Sequence, residues 1–290
     1  MRCEESTAVV QQVASPASNN VARMSLREKV AIVAGASGAI GAATCSALGA
    51  EGARVVFASL EDPMLQALIA RANSEHIAHL SVPTNLCSRV EIDRLISKTL
   101  EAYGRIDILV NAAGIGSSPA MCDSTDTELE DVLMVNLLGP ARLMHAVLPA
   151  MKAQRRGSIV NIGSVAGEAG VMGIYSASKF GLRGLSDSVR REVMSYGIDV
   201  TLIEPGFIRT AMNAQMTNRL PGPEVVAEAI LDAIRRPRRT RIIPANYILP
   251  TFLARSFPAL TDLIFGNARI QNRLNRDARA ARSANATKPS

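Results

Sequence analysis

Tryptophan is absent from this 290-residue chain, and aromatic residues make up only 3% of it. A core must then be built from Ala, Val, Ile, Leu and Met, and the 48% hydrophobic share is enough for a folded globular domain. Cysteine is scarce too. Cys3, Cys45, Cys87 and Cys122 lie far apart and form no Cys-x-x-Cys pair. This excludes a disulfide scaffold and leads us to expect reduced thiols in a cytoplasmic setting. Histidine occurs three times, at His76, His79 and His145, with no second ligand cluster, so no metal site is expected. No apolar run reaches the ~18 residues of a membrane span. The N-terminus carries Glu4 and Glu5 and lacks an apolar core, so no secretory signal is expected. Much of the formal charge of +6 sits near the C-terminus. Neither interleaved aromatics nor a recognised motif accompanies those arginines, so nucleic acid is not an expected partner.

What is present is an alternation. Short β-rich runs at Val30–Ala34, Arg54–Ala58, Ile77–Val82, Ile108–Asn111, Ser158–Ile162 and Asp199–Ile203 are separated by helical stretches of ten or more residues. Apolar strands joined by helices predict a parallel sheet covered on both faces, with right-handed crossovers. Residues 1–24 are small and polar and predict a disordered extension before a domain spanning 25–245. Residues 224–236 read as an amphipathic helix after the Pro-Gly-Pro turn at 221–223. Residues 246–290 form an apolar, then basic, C-terminal extension whose last ~20 residues are expected to fray.

The first strand runs into Ala34-Gly35-Ala36-Ser37-Gly38-Ala39-Ile40-Gly41, followed by a helical pattern. Glycines in a strand-to-helix turn let the backbone approach a pyrophosphate, and the helix N-terminus offers N–H groups and a positive dipole end. The end of the second strand selects between NAD and NADP, through a carboxylate for the 2′-OH or an arginine for the 2′-phosphate. Here it reads Ser59-Leu60-Glu61-Asp62-Pro63, and neither Ser59 nor Leu60 decides. Glu61 and Asp62 either repel a phosphate or serve the start of the next helix, and the choice stays open.

Tyr175 and Lys179 stand at i and i+4 of a predicted helix and share a face. An ammonium beside a phenol favours the phenolate, which lowers a pKa from ~10 toward working pH. Tyr175 then suits proton exchange with a carbonyl or alcohol oxygen. Alone, such a pair is usually a plain surface pair. Its company is more telling. Ser164 follows a strand, where a hydroxyl can orient a substrate oxygen. Asn136 lies inside a long helical stretch, although Asn prefers caps and turns.

Together these residues resemble the short-chain dehydrogenase/reductase family over roughly Leu26 to Ile243. The resemblance rests on Gly35, Gly38 and Gly41, on Asn111-Ala112-Ala113-Gly114, on Asn136, Ser164, Tyr175 and Lys179, and on Pro205-Gly206-Phe207-Ile208-Arg209-Thr210. It implies a Rossmann-type sheet of about seven parallel strands with helices on both faces. It also implies an NAD(P) cofactor and a homo-oligomer. Tyr175 would be the general acid/base, and Lys179 would hold the nicotinamide ribose and tune Tyr175. Ser164 would position the substrate oxygen, and Asn136 would anchor a water leading to Lys179. The glycine turn with Ser37 and Ile40 would meet the cofactor, as would Ser59, Leu86, Ala112, Pro205 and Gly206. Asn111 and Gly114 would shape its adenosine side, Asn85 would accept from the adenine amine, and Ile208 and Thr210 would touch the carboxamide. This chain departs from the family pattern in three places. Ala34 replaces a Thr, Ala39 replaces a glycine, and the segment from Ser164 to Tyr175 is slightly short.

Met172, Met212 and Met216 suggest an adaptable apolar pocket for a lipophilic alcohol or ketone of steroid, retinoid or fatty type, or else they pack in the core. The five arginines at 235, 236, 238, 239 and 241 precede an apolar stretch from Tyr247 to Phe265. That arrangement either contacts an anionic membrane or packs on the domain or on another subunit. Pro250 and Pro258 favour packing, because proline breaks the helix that membrane contact prefers. A redox-silent nucleotide sensor or scaffold remains the alternative function, although it would need none of the proton chemistry of Tyr175, Lys179, Ser164 and Asn136.

Overall fold

The computed structural model describes residues 25–117, 120–210 and 220–267. Its centre is a sheet of seven strands: β1 (Val30–Ala34), β2 (Arg54–Ser59), β3 (His79–Pro83), β4 (Ile108–Asn111), β5 (Gly157–Ile162), β6 (Ile198–Pro205) and β7 (Thr240–Ile243). Every pairing is parallel, in the order β3-β2-β1-β4-β5-β6-β7. All residues of β1, β4 and β5 are buried, as expected for strands covered on both faces.

The two faces carry separate cores. On one, Val33, Phe57 and Val110 meet Leu48 of α1 (Ala39–Ala50), Leu65 of α2 (Pro63–Ser74) and Ile230 of α8 (Glu224–Arg235). On the other, Ile32, Val56 and Leu109 meet Leu95 of α3 (Arg89–Tyr103), Val147 of α5 (Gly139–Gln154) and Val189 of α7 (Gly173–Val193). The expected doubly wound α/β architecture is therefore the observed one. Strand order reverses at β1, between β2 and β4, and in such folds ligands bind beyond the carboxyl ends of the strands at that point.

Some expected boundaries move. The third strand begins at His79 rather than Ile77, because Ile77 N–H closes the end of α2 on Ala72 O at 2.9 Å and its side chain packs at Gly49 of α1. The long helix around Asn136 is not uniform. α4 (Asp126–Leu133) passes through a π-helical turn (Met134–Leu138) into α5. Taken as one 29-residue helix, Asp126–Gln154 is long and apolar enough by composition to cross a membrane. Its α5 part, however, buries Leu143, Met144, Val147, Leu148 and Met151 in the protein core, as a soluble core helix does.

The prolines of the extension do not break it as expected. Pro250 lies in the first turn of α9 (Ile248–Ser256), and Pro258 opens α10 (Pro258–Phe265), positions where the missing N–H costs nothing. The arginine cluster serves the domain: Arg235 pairs with Glu51 at 2.6 Å, Arg239 with Asp187, and Arg241 with Asp232. The expectations for 1–24, for Met212 and Met216, and for the final ~20 residues lie outside the described residues.

At the amino end of the sheet Asp107 ties β1 to β4. Its carboxylate accepts from Val30 N–H at 3.1 Å and from Arg105 Nε at 2.8 Å, with Lys29 Nζ at 3.5 Å. Burial pushes its pKa up, but the Arg105 and Val30 hydrogen bonds and the charges of Lys29 and Arg105 outweigh it and hold the group below the usual carboxylate range. A depressed carboxylate pKa contributes stability above the unfolded value and loses it as pH falls through the folded one. Asp107→Asn is therefore expected to cost about 1–3 kcal/mol at neutral pH. Urea denaturation should show that gap closing as the solution is acidified below the usual Asp pKa.

Candidate active site

The carboxyl ends of β1, β2, β4, β5 and β6 deliver the expected residues to one edge of the sheet. Gly35 follows β1 at φ +77°, and a Cβ there would lie 2.6 Å from N and Cα of Ala113. The glycine turn thus packs on the turn after β4, where Ala112 N–H donates to Ala34 O at 2.9 Å. Gly41 lies so close to Gly35 O that a side chain would displace it. Ile40 is half-buried against the core.

Gly38 caps α1 with no side-chain hydrogen bond and no acidic residue in the first turn. By contrast Asp62, Ser88 and Thr125 cap α2, α3 and α4 with their side chains. An uncapped 12-residue helix opening onto a glycine turn suits a dinucleotide pyrophosphate. Asn111 supplies a second fit. Its Nδ2 donates to Asn161 Oδ1 at 2.7 Å, while its own buried Oδ1 has no partner among the described residues, an acceptor that a ribose hydroxyl would satisfy.

At the end of β2, Ser59 Oγ pairs with Ser37 Oγ at 2.6 Å. Asp62 is spent on its helix, accepting from Leu65 N–H at 2.7 Å, whereas Leu60 is exposed. Of the two readings for Asp62, the helix-start one is what the structure displays. Asn85 Oδ1 accepts from Cys87 N–H at 2.9 Å, so only its second lone pair remains. Leu86 is buried and packs at Gly139. Pro205 and Ile208 are buried and Thr210 is half-exposed. Gly206 N–H donates to Ile243 O at 2.7 Å, and the Tyr247 ring covers its Cα.

The chemical groups converge on α7. The Ser164 hydroxyl lies close enough to the Tyr175 phenol to lower its pKa, so the short segment between them does not prevent their meeting. Lys179 Nζ stands 5.8 Å from the Tyr175 ring centroid and donates to Ile162 O at 3.0 Å. Gly114 abuts it, since a Cβ there would lie 3.3 Å from Nζ. Asn136 is fully buried in the π-helical turn, and its side chain is already engaged. Nδ2 donates to Ile115 O at 2.9 Å and to Ser178 Oγ at 3.1 Å, and Oδ1 accepts from Ile115 N–H at 2.9 Å. Its side chain thus braces the turn after β4 against the helix of Tyr175.

The electrostatics differ from the sequence expectation. Burial raises the Tyr175 pKa, and the Ser164 hydrogen bond only partly offsets it. Burial also pushes Lys179 down to about 8, so its charge is partly lost near neutrality, and the net shift of the phenol is upward rather than downward as expected.

Several contributors escaped the sequence reading. Asn161 bridges Asn111 to Ser186 Oγ at 2.8 Å, and the only sequence signal was a polar residue in an otherwise apolar strand. Arg183 lies one turn beyond Lys179 on the same face of α7. It meets Glu204 at 3.0 Å and also contacts Glu168, and both carboxylates are buried. Burial raises the Glu204 pKa, and Arg183 pulls against that rise. This cluster joins the segment after Ser164, the face of α7 that carries Tyr175 and Lys179, and the strand end before Pro205. Glu204 packs so tightly under Gly163 that a Cβ there would come within 3.2 Å of its Cγ.

A family model for the short chain dehydrogenases matches residues 29–220. The chain belongs to the short-chain dehydrogenase family. An uncharacterized oxidoreductase of Staphylococcus haemolyticus is 32% identical over 222 residues, which cover 75% of this chain and 95% of the relative. One from Staphylococcus saprophyticus is 31% identical over 224 residues, with the same coverage. The crystal structure of gox2181 superposes with a TM-score of 0.70 at 27% identity, covering 75% of this chain and 96% of the other.

Two outcomes follow. Arg183→Met would leave two buried carboxylates facing one another, and chemical denaturation is expected to show a loss of about 3–5 kcal/mol. Lys179→Met should act in the opposite direction. The folded pKa of Lys179 is depressed below the unfolded one, so wild-type stability rises with pH from about 8 toward the ordinary lysine value of 10.5. Thermal melts at pH 7 should find Lys179→Met more stable by about 2 kcal/mol, after allowing for the lost bond to Ile162 O, and the advantage should vanish by the alkaline end.

Proposed function

We propose that this protein is an NAD(P)-dependent oxidoreductase that interconverts a secondary or primary alcohol and its carbonyl, with Tyr175 as the proton-exchanging group. The observation that carries this reading is the convergence of Ser164, Tyr175 and Lys179, whose Nζ lies 5.8 Å from the phenol ring, beside the uncapped start of α1. A nicotinamide dinucleotide, when bound, supplies or takes up the hydride. In reduction Tyr175 gives its proton to the substrate oxygen as that oxygen gains negative charge, and in oxidation it takes the proton back. Ser164 holds the same oxygen by its hydroxyl. The raised Tyr175 pKa keeps the acid form ready, and the remaining charge on Lys179 stabilises the phenolate left after transfer.

The substrate we favour is lipophilic, of steroid, retinoid or fatty type. Support comes from the half-buried Val171 and Met172, which lead directly into the turn carrying Tyr175, and from the adaptability of methionine. The serine pair Ser37–Ser59 places neither a cation nor a carboxylate at the end of β2, so both cofactors belong in the assay.

Absorbance of the reduced nicotinamide tests the reading, with wild type and Tyr175→Phe against lipophilic ketones and alcohols and each cofactor. Wild type should turn over. Tyr175→Phe should lose roughly 10²–10⁴-fold in kcat while still binding cofactor. Reduction by wild type should also decline as pH rises through about 8, where Lys179 loses its charge. Cofactor binding without turnover on any pair would favour the redox-silent sensor. Activity confined to small polar sugars would reject the lipophilic substrate.

A further inference from the structure

We propose that Tyr247 is a positioning residue for Ser164, acting through the end of β6 and held in place by α9. That role rests on the oxidoreductase reading above, and it extends the site to a part of the chain beyond residues 29–220, where the family model matches. The contact centres on Gly206, the first residue after β6. The three atoms nearest to a Cβ added there all belong to the Tyr247 ring, and they stand closer than any side chain could. Gly206 has no left-handed φ, so the ring rather than the turn explains its bare Cα. Tyr247 is half-buried and reaches it from the single 3₁₀ turn Ala245–Tyr247 that follows β7. The same residue is thus held in two ways: the ring covers its Cα, and Ile243 O accepts from its N–H at 2.7 Å.

The strand end fixed in this way anchors the Ser164 segment. Pro205 O accepts from Val165 N–H at 3.1 Å, and Ile203 O accepts from Gly163 N–H at 2.7 Å. Ser164 lies between those two amides, so its place follows the last residues of β6. Directly after Val165 comes α6 (Ala166–Ala169), which packs on α9. The inward side of α9 continues from the ring. Tyr247, Thr251 and Arg255 stand four residues apart and share a face. Thr251 is buried, and its hydroxyl donates to Tyr247 O at 2.7 Å. The charge of Arg255 acts on Glu204, the neighbour of Pro205. Burial raises the pKa of Glu204 and Asp187 adds to the rise, while Arg183 from α7 and Arg255 from α9 oppose it. The C-terminal helix therefore meets both strands of the argument at once, the end of β6 and the segment that carries Ser164. Misplacing a reacting group by about 1 Å can cost on the order of 10²-fold in rate, so a ring that sets this strand end bears on rate more than on substrate affinity.

Full-length Tyr247→Leu and Tyr247→Phe test the proposal, since leucine keeps an apolar side chain without the flat ring and phenylalanine keeps the ring. Tyr247→Leu should lose roughly tenfold or more in kcat, with the substrate KM changed by less than about twofold. Hydrogen exchange at the Val165 amide, read without substrate or cofactor, should quicken by roughly tenfold. Tyr247→Phe should match wild type in both. A ring with a purely structural part would lower the melting temperature of Tyr247→Leu but leave kcat and Val165 exchange unchanged wherever the fold is intact, and that result would overturn the proposal. An equal defect in Tyr247→Phe, or a loss confined to KM, would overturn it too. Should the leucine variant not fold, Gly206→Ala carries the test, because its methyl displaces the ring; unchanged kcat and exchange there would be equally fatal. A wild type that turns over no substrate with either cofactor would sink the oxidoreductase reading and this role with it. Normal wild-type turnover with unchanged Val165 exchange in Tyr247→Leu would sink the positioning role alone.

Discussion

An ammonium with most of its water removed is costly, and Lys179 is one: its side chain lies on the inner face of α7, 5% exposed, and burial lowers its pKa to about 8. Its surroundings are shaped by that cost. Ile162 O accepts one of its protons, and Gly114 and Gly167 lack the side chains that would crowd it. A Cβ on Gly167 would stand 3.1 Å from Lys179 Cβ, and one on Gly114 3.3 Å from Nζ, so both glycines follow from where the lysine must sit. The segment after Ser164 and the turn after β4 can approach α7 only because those two positions are bare.

The nearby carboxylates complete the arrangement by being occupied elsewhere. Tyr175, Lys179 and Arg183 succeed one another at four-residue spacing along α7, and Glu168 and Glu204 are both turned to Arg183. A buried carboxylate free to pair with Lys179 would raise its pKa and fix its charge. Held by Arg183, the two acids instead tie the Ser164 segment and the end of β6 to the same helix that carries the phenol and the ammonium. Asn136 performs the matching task on the other side, joining Ile115 to Ser178 through its amide. It does so from a π-helical turn, an irregularity of the kind that is frequent at functional sites.

Much of this was legible in the sequence where local rules and tertiary packing agree. All six apolar runs became strands within about two residues of their expected limits, because buried parallel strands announce themselves as continuous Val/Ile/Leu runs. β7 did not announce itself: Thr240-Arg241-Ile242-Ile243 carries an arginine that pairs with Asp232, and only family resemblance implied a seventh strand. The site's side chains were legible by type and order, since Tyr175, Lys179 and Ser164 have few other reasons to recur together. Their protonation was not. A Tyr-x-x-x-Lys spacing says that an ammonium is near a phenol, but the direction of both pKa shifts depends on burial, which spacing does not report. The Arg183 cluster was hidden for the same reason, because its members lie at 168, 183 and 204 and meet only through the fold.

The two ends of the sheet therefore handle charge in opposite ways. At the amino end Asp107 is buried with Arg105, Lys29 and the Val30 N–H around it, so its charge is compensated and adds to stability. At the carboxyl end Lys179 has a carbonyl where a counter-ion would stabilise it more, and Asn111 Oδ1 has no partner among the described residues. Incomplete satisfaction on one edge, supported by full satisfaction on the other, is the pattern of a site whose groups must still respond to a ligand and a proton. Strands β1 and β4 carry both halves of this division, since Asp107 and Val30 join them at the base while Gly35 and Asn111 stand at their tips. Rigidity at the base is what allows the tips to be held in place with their polar groups unspent.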